Sequence, residues 1–253
     1  MNVKPSMALS VRSVSRRFGA LVVAQDINID LPEGARHALI GPNGAGKTTL
    51  VNMITGALRP DSGSIELFGE DITGRRPRST APLGLARTFQ ITNLFVRLTV
   101  WENLALAVAT RSGADRSLFV RASRQHVVLD EVAALLERVG LAADATRLVG
   151  ELPYGRQRLV ELAMALALKP RVLLLDEPAA GVPSLETGQL LDVIDALPES
   201  MAILMIDHDM DLVFRFARRI TVLVGGGVLA EDTPDNIRSD PRVRDVYLGR
   251  ARS

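Results

Sequence analysis

The sequence predicts an α/β fold: a mostly parallel sheet wrapped by helices, with an antiparallel β subdomain near the N-terminus and an inserted α-helical subdomain. Three observations predict it. A glycine-rich loop, Gly41-Pro42-Asn43-Gly44-Ala45-Gly46-Lys47-Thr48 with Thr49 behind it, joins an apolar strand-like run (Ala38, Leu39, Ile40) to a helical pattern (Leu50, Met53, Ile54). Strand and helix patterns alternate through the final third of the chain, which implies parallel strands with crossover helices. Between these two regions, from Thr99 to Gly150, the composition shifts toward helix formers.

With 253 residues the chain is long enough for one large domain with a full core. Lys+Arg 30 against Asp+Glu 29 leaves a net charge of +1, which lacks the bulk basic field expected of a nucleic-acid binder. No cysteine is present, which excludes disulfides and thiolate metal sites, and three histidines make a structural zinc site improbable. No apolar run approaches the roughly 18 residues needed to span a bilayer. Met1 to Met7 carries Lys4 and Pro5 but no apolar stretch, so it reads as a flexible tail rather than a signal peptide, and 250–253 reads as a second tail.

From the N-terminus, Val11, Val14 and Phe18, then the alternating Ile27, Ile29 and Leu31, predict antiparallel strands wet on one face. Pro32-Glu33-Gly34 is a turn into the strand before the glycine-rich loop. A helix from Thr48 to about Ala57 leads to the turn Pro60-Asp61-Ser62-Gly63 and a strand over Ser64 to Gly69. Arg75-Arg76-Pro77-Arg78 reads as a solvated irregular loop, and Leu85 to Gln90 returns to strand character. In the helical region, Trp101 to Ala109 forms one segment, Arg111 to Asp115 breaks it, and Val128, Val132, Leu135, Leu136 and Val139 fall at helical spacing. Arg111, Arg116, Arg121 and Arg124 read as a solvated helix face.

The last third is regular. An apolar helix (Val160, Leu162, Ala163, Met164, Leu166, Ala167) stops at Lys169-Pro170, and the buried strand Val172 to Leu175 stops at Asp176-Glu177-Pro178. An amphipathic helix with Leu190, Val193, Ile194 and Leu197 on one face precedes a strand over Ala202 to Ile206. A helix carrying Val213, Phe214 and Ala217, a strand over Ile220 to Val224 and a short helix near Val243 to Tyr247 complete the chain.

The loop at 41–48 carries chemistry because a triphosphate must be met by many donors at close range. Its glycines let successive backbone N–H groups face the phosphates, and the helix behind them presents its positive end. Lys47 supplies a point charge to the β- and γ-phosphates, and the Thr48 hydroxyl suits Mg²⁺. A purine triphosphate is the expected ligand. The second signal is Asp176-Glu177 at the end of an apolar strand. Alone it is a turn; paired with Lys47 it reads as a metal-holding aspartate followed by a glutamate that orients or deprotonates an attacking water. His208, at the end of the next strand, stands on the same rim and reads as a γ-phosphate contact. Phe18 by itself reads as a core residue.

Gly41 to Thr48, Gln90 in Thr88-Phe89-Gln90, Leu152-Pro153-Tyr154-Gly155-Arg156-Gln157-Arg158, Leu173 to Pro178 and His208 occur in the order found in ATP-binding cassette ATPases. The resemblance runs from about Leu9 to Gly249, and the order of five motifs is far more specific than any one of them. Ala86 to Gln90, Leu94-Phe95, Leu98 to Leu104 and Asp176 to Gly181 look like the branched-chain amino acid importer branch.

The resemblance implies a P-loop NTPase with a RecA-like sheet, spanning 8–249, its helical subdomain at about 92–160. It implies ATP and Mg²⁺ as cofactors, with ATP sandwiched between the phosphate loop of one subunit and Leu152, Pro153, Tyr154, Gly155 and Arg156 of the other. Glu177, His208 and Gln90 take catalytic roles; Thr48, Gln90 and Asp176 hold the metal; Phe18 moves from core to adenine stacking. The implied partners are a second copy or a paralogous ATPase subunit, integral membrane permease subunits and, indirectly, an extracytoplasmic solute-binding protein, with no nucleic acid. The implied location is peripheral, on the cytoplasmic face of the inner membrane.

The chain also departs from the family pattern. Pro153 stands where the motif carries a serine, Tyr154 where it carries a glycine, and Pro183 where an Asp or Asn is usual. Urea, amides or aromatic acids remain alternative solutes. A soluble nucleotide switch acting on nucleic acid or ribosomes is a different class, but such relatives carry tandem cassettes or basic extensions, absent here. A small-molecule kinase would leave the 152–158 segment without a purpose.

Overall fold

The computed structural model describes residues 6–88, 94–112 and 118–248. The chain divides into two units, Met1–Leu85 with Arg171–Glu177 and Pro198–Ser253, and Ala86–Pro170 with Pro178–Leu197. β1 (Met7–Phe18) and β2 (Leu21–Pro32) pair antiparallel from Met7 opposite Pro32 to Phe18 opposite Leu21. Their alternation leaves one face wet, as the sequence predicts: Val11, Ile27, Ile29 and Leu31 are buried while Arg12 and Asp26 face solvent. Pro32 to Gly34 turns the chain into β3 (Arg36–Ile40), and α1 (Lys47–Thr55) follows the glycine-rich loop.

β4 (Ser62–Leu67) pairs antiparallel with β1, and β5 (Glu70–Asp71) closes a four-stranded sheet in the order β2-β1-β4-β5. The basic stretch expected to be irregular winds its second half into α2 (Pro77–Thr80). Pro77 starts this turn, where a missing N–H costs nothing because the first helical N–H groups have no partner anyway. β6 (Leu85–Arg87) is shorter than the predicted strand, whose last residues, Phe89 and Gln90, lie outside the described residues.

In the second unit, α3 (Val100–Ser112) begins at a reciprocal cap. The Thr99 N–H donates to Glu102 Oε2 at 2.7 Å and the Glu102 N–H to Thr99 Oγ1 at 3.2 Å, so two donors that a helix start leaves orphaned are satisfied together. Asn103, fully buried, ties the preceding turn down through Nδ2 to the carbonyls of Phe95 and Thr99. α4 (Leu118–Arg138) buries Val132, Leu135 and Leu136, the face the spacing predicts, with Val139 buried just beyond its end. α3 continues through Arg111 and Ser112, which were expected to break it. Arg111 is also not a solvated charge: it forks onto the Glu131 carboxylate and donates Nη1 to the Ala167 carbonyl. Its guanidinium holds Glu131 below the usual carboxylate range. Arg116 falls outside the described residues.

α5 (Tyr154–Ala167) ends before Pro170, and β7 (Val172–Asp176) returns the chain to the first unit. α6 (Ser184–Asp195) is followed by β8 (Ala202–Ile206), α7 (Met210–Phe216) and β9 (Arg219–Val224). β10 (Gly227–Asp232) and α8 (Pro234–Ser239) escaped the sequence reading, and α9 (Pro241–Leu248) matches it. The larger sheet has the order β10-β9-β3-β8-β7-β6. β3, β8, β7 and β9 are parallel, and β7 and β8 read as near-continuous apolar runs because both faces are covered, while β10 joins antiparallel at the edge.

The core of the first unit lies around α1. Leu50, Met53 and Ile54 join Val11, Ile27 and Ile29 of the small sheet to Leu39, Leu174 and Leu204 of the large one in a single buried cluster. Each such side chain contributes roughly 1.5–3 kcal/mol by leaving water. Register then sets the rim of the site: Ile206 pairs with Leu39 on one side and with Asp176 on the other. Three neighbouring strands therefore end level with one another.

At the opposite end of β3, His37 is buried, its Nε2 2.7 Å from Thr221 Oγ1, and that hydroxyl donates to Glu231 Oε2 at 2.8 Å. Burial pushes the His37 imidazole down to about 4, against the pull of Glu231. The unfolded chain takes up a proton near pH 6.5 while the folded one refuses it until about 4, so stability is present above this window and is lost as pH falls through it. His37→Gln should flatten that loss, worth on the order of 3 kcal/mol in wild type. Urea denaturation at successive pH values is the check; parallel wild-type and variant curves would show that His37 does not carry the pH dependence.

Candidate functional site

The loop at 41–48 is bedded on backbone from two neighbouring elements. Gly46, at the N-cap of α1, sits at φ 102°, and a β-carbon there would lie 2.3 Å from the Val23 carbonyl oxygen of β2. Only glycine allows this combination of left-handed backbone and close approach. The Gly226 N–H, from the β9–β10 turn, donates to the Ala45 carbonyl at 3.1 Å and pins the middle of the loop. No side chain caps α1, so its first N–H groups are open to an anion, and Asn43, Gly44 and Thr48 are exposed.

Lys47 folds back over this loop. Its ammonium donates to the carbonyls of Gly41 at 2.6 Å and Pro42 at 3.1 Å. Burial lowers its pKa, while the carboxylates of Glu177 and Asp176 raise it, which places the end of β7 within electrostatic reach of the loop. Thr48, exposed, and Thr49, half-buried, follow in the first turn of α1.

Asp176 is buried at the last position of β7. Glu177 leaves the strand at φ 48°, a left-handed conformation that costs a glutamate about 1–2 kcal/mol. Its N–H donates to the Ile206 carbonyl at 2.7 Å, which holds the strained residue against the end of β8. His208 extends from that end, 66% exposed, with Nδ1 3.9 Å from Glu177 Oε1. Asp207 beneath it, a residue the sequence reading did not single out, accepts the N–H groups of His208 at 2.7 Å and Asp209 at 3.0 Å. Burial raises the Asp207 carboxyl above its ordinary range, and its Oδ2 is buried without a hydrogen bond. The signal was available: an apolar strand ending in aspartate repeats the pattern of β7 one strand later. Asp209 caps α7 through the N–H groups of Asp211 and Leu212.

This unit thus collects Gly41 to Thr49, Asp176, Glu177 and His208 at the carboxyl ends of β3, β7 and β8, where ligands gather in such sheets. Phe18, expected to stack on a base, is 49% exposed at the end of β1 with the Arg16 guanidinium 4.9 Å from its ring centroid. Gln90 lies outside the described residues. No group of three or more acidic or histidine side chains suited to a metal occurs among the described residues. The donors present, the Thr48 hydroxyl and Asp176 carboxylate, fit a Mg²⁺ that keeps water and phosphate oxygens in the rest of its shell.

The segment 152–156 belongs to the second unit. Leu152 is buried, and Pro153 occupies the N-cap of α5 without a side-chain cap, so the first N–H groups of that helix are also open. Tyr154 is 40% exposed; the Arg158 guanidinium stands over its ring at 4.9 Å, donates to its hydroxyl at 2.5 Å and pairs with Glu161 at 2.7 Å in a buried cluster. A β-carbon at Gly155 would lie 2.0 Å from Glu186 Oε2, so glycine is what lets α6 reach α5. The Arg156 side chain is turned to the Gly140 carbonyl at 2.7 Å and to Asp144 at 3.3 Å, which leaves its backbone N–H as the group aimed along the helix axis. Pro183, at the N-cap of α6, likewise offers no side-chain cap.

Comparison with known proteins gives two family matches, residues 24–180 to a family described as ABC transporter and residues 228–252 to one described as branched-chain amino acid ATP-binding cassette transporter. The high-affinity branched-chain amino acid transport ATP-binding protein LivG of Escherichia coli K12 is 40% identical over 250 residues, covering 96% of this chain and 98% of LivG. BraF of Pseudomonas aeruginosa PAO1, which carries the same description, is 38% identical over 252 residues, with the same two coverages, 96% and 98%. Among solved structures, the ADP conformation of MJ1267, an ATP-binding cassette of an ABC transporter, superposes with a TM-score of 0.83 at 28% identity, covering 96% of this chain and 99% of that one.

Gly46→Ala should lower folding stability by roughly 1–3 kcal/mol and abolish measurable ATP binding, because the loop cannot keep both its backbone angle and its seat on Val23. Nucleotide titration and urea denaturation check this; wild-type affinity in the variant would refute the assigned seating.

Proposed function

This chain belongs to the ATP-binding cassette transporter family of ATPases, and from that premise we propose that it drives uptake of branched-chain or related amino acids through membrane permease subunits. The observation that carries the reading is the conjunction of the C-terminal family match with a phosphate loop, two acidic strand ends and His208 gathered on one rim. ATP lies along the loop, its base on Phe18 and its phosphates against the loop N–H groups, and Lys47 turns from its two carbonyls to the β- and γ-phosphates. Mg²⁺, when bound, neutralises phosphate charge, and Thr48, Asp176 and Gln90 are the residues that would hold it.

Glu177 takes the proton of the attacking water, held in place by its strained backbone and its bond to β8. His208, exposed and 3.9 Å from that carboxylate, contacts the γ-phosphate. A second subunit, a copy or a paralogue, offers the open N-terminus of α5, through Leu152 to Arg156, to the same phosphate and completes the sandwich. With Pro153 at the cap, that contact is made by backbone N–H groups alone. Hydrolysis opens the pair and resets the permease. No helix among the described residues is long and apolar enough to cross a membrane. The reading attaches the chain peripherally, at the cytoplasmic face of the inner membrane, through its permease partners. An extracytoplasmic binding protein then delivers the solute, and nucleic acid has no part in the cycle.

Glu177→Gln should slow hydrolysis by about 10²–10⁴-fold while retaining ATP, and should trap paired subunits in a sedimentation experiment. Unchanged turnover would assign the water to another group. In cells lacking the chain, uptake of leucine, isoleucine and valine should fall and be restored by wild type but not by Glu177→Gln. Normal uptake of these three with a loss of urea, amide or aromatic acid uptake would move the substrate class.

A further inference from the structure

The ring of Phe18 is held from behind. Arg16, two residues earlier on β1 and therefore on the same face of that strand, lays its guanidinium over the ring, 4.9 Å from the centroid. The guanidinium is fixed in turn by Asp61, in the turn that enters β4, whose Oδ1 accepts from Arg16 Nη1. The other carboxylate oxygen of Asp61 accepts the Arg17 N–H at 2.8 Å, and the Asp61 N–H donates to the Ser15 carbonyl at 2.9 Å. One acidic residue thus clasps the end of β1 at Ser15, Arg16 and Arg17. The same hairpin bears on the phosphate loop. Phe18 pairs with Leu21 of β2, and Val23, further along that strand, is the residue whose carbonyl seats Gly46. At about 3.3 Å per residue, that seat lies about 7 Å along β2 from the partner of Phe18, within the span of one nucleotide.

A phenyl ring has two faces. With the guanidinium over one and about half of the residue exposed, the other is open to a base. The cation draws the ring's π electrons toward itself, which makes the open face less negative and a better partner for an electron-rich purine. A ring already held in place also has less freedom to lose when a ligand stacks on it. Resting on the reading that puts the base on Phe18, we propose that Arg16 and Asp61 are positioning residues for the nucleotide: Asp61 orients the Arg16 guanidinium, and the guanidinium holds the Phe18 ring for stacking.

The test measures Kd for ATP and for inorganic tripolyphosphate, both with Mg²⁺, together with KM and kcat. It uses the full chain as wild type, Arg16→Gln, Asp61→Asn, Phe18→Ala and the double variant Arg16→Gln/Phe18→Ala. Phe18→Ala should weaken ATP by about 5–150-fold, the range for a lost base–aromatic stack. Arg16→Gln and Asp61→Asn should each weaken ATP by about 2–5-fold and raise KM in the same sense, with kcat and tripolyphosphate affinity within about twofold of wild type. These two substitutions change the net charge in opposite directions. A field acting on the phosphates would therefore weaken ATP in one and tighten it in the other, whereas loss of a positioned ring weakens it in both. In the double variant, Arg16→Gln should add nothing to Phe18→Ala. Opposite signs, an equal loss for tripolyphosphate and ATP, or an additive effect in the double variant would each overturn the proposal. Wild-type ATP affinity in Arg16→Gln and Asp61→Asn beside a weakened Phe18→Ala would overturn it while leaving the base on Phe18. Wild-type affinity in Phe18→Ala would instead remove the base from that ring, and the proposal would fall together with that part of the function reading.

Discussion

The Lys47 ammonium, partly withdrawn from water and resting on the carbonyls of Gly41 and Pro42, is the charge around which the site is arranged. A cation in that position has to be balanced, and Asp176 and Glu177 balance it from the end of β7. Those carboxylates reach it because β8 lies between β3 and β7 with Ile206 in register with both Leu39 and Asp176. Without that parallel register the two acidic residues and the loop would not share a rim. The same register delivers Asp207 and His208 beside them, so a single alignment of three strands supplies cation, acids and imidazole together.

The loop depends on its surroundings as much as on its glycines. Val23 of β2, Leu223 of β9 and Gly226 of the following turn each meet it through backbone atoms, which hold their places whatever side chains those positions carry. In the second unit the corresponding anchor is ionic. Arg158, buried between Tyr154 and Glu161, ties the start of α5 to its own second turn, and Arg111 joins α3, Glu131 and the end of α5. Buried pairs of this kind contribute little net stability, but removing one partner leaves an uncompensated charge, so they define geometry. Tyr154, which departs from the glycine of the family pattern, is the residue that gives Arg158 an acceptor at the helix start.

Much of this was legible in the primary structure. The bounds of β8, the presence of α9, the apolar face of α4 and the stop of β7 at Asp176 follow from periodicity and from the abrupt change of an apolar run into carboxylates. β10 was missed because it is a half-exposed edge strand whose residues show no clean alternation. Arg111 was misread as solvated because its partner lies 20 residues away and its other acceptor, the Ala167 carbonyl, 56 away. The turn before α3 carried its signal openly: Thr99 and Glu102 have the spacing of a reciprocal cap, and they fall within the stretch that resembled the importer branch.

Sequence by itself determined which groups could meet a triphosphate, because the residue types and spacing of the phosphate loop, and a carboxylate pair closing an apolar strand, are local chemistry written in consecutive positions. It also determined the layer architecture, since strand and helix periods differ and their alternation admits few topologies. Only the tertiary structure decided how those groups face one another. The seat of Gly46 on Val23, the strained backbone of Glu177 held by Ile206 and the bond from the Gly226 N–H to the Ala45 carbonyl each join residues from separate strands or turns. Such contacts arise from register and packing, which depend on the whole buried set at once and leave no mark at any single position.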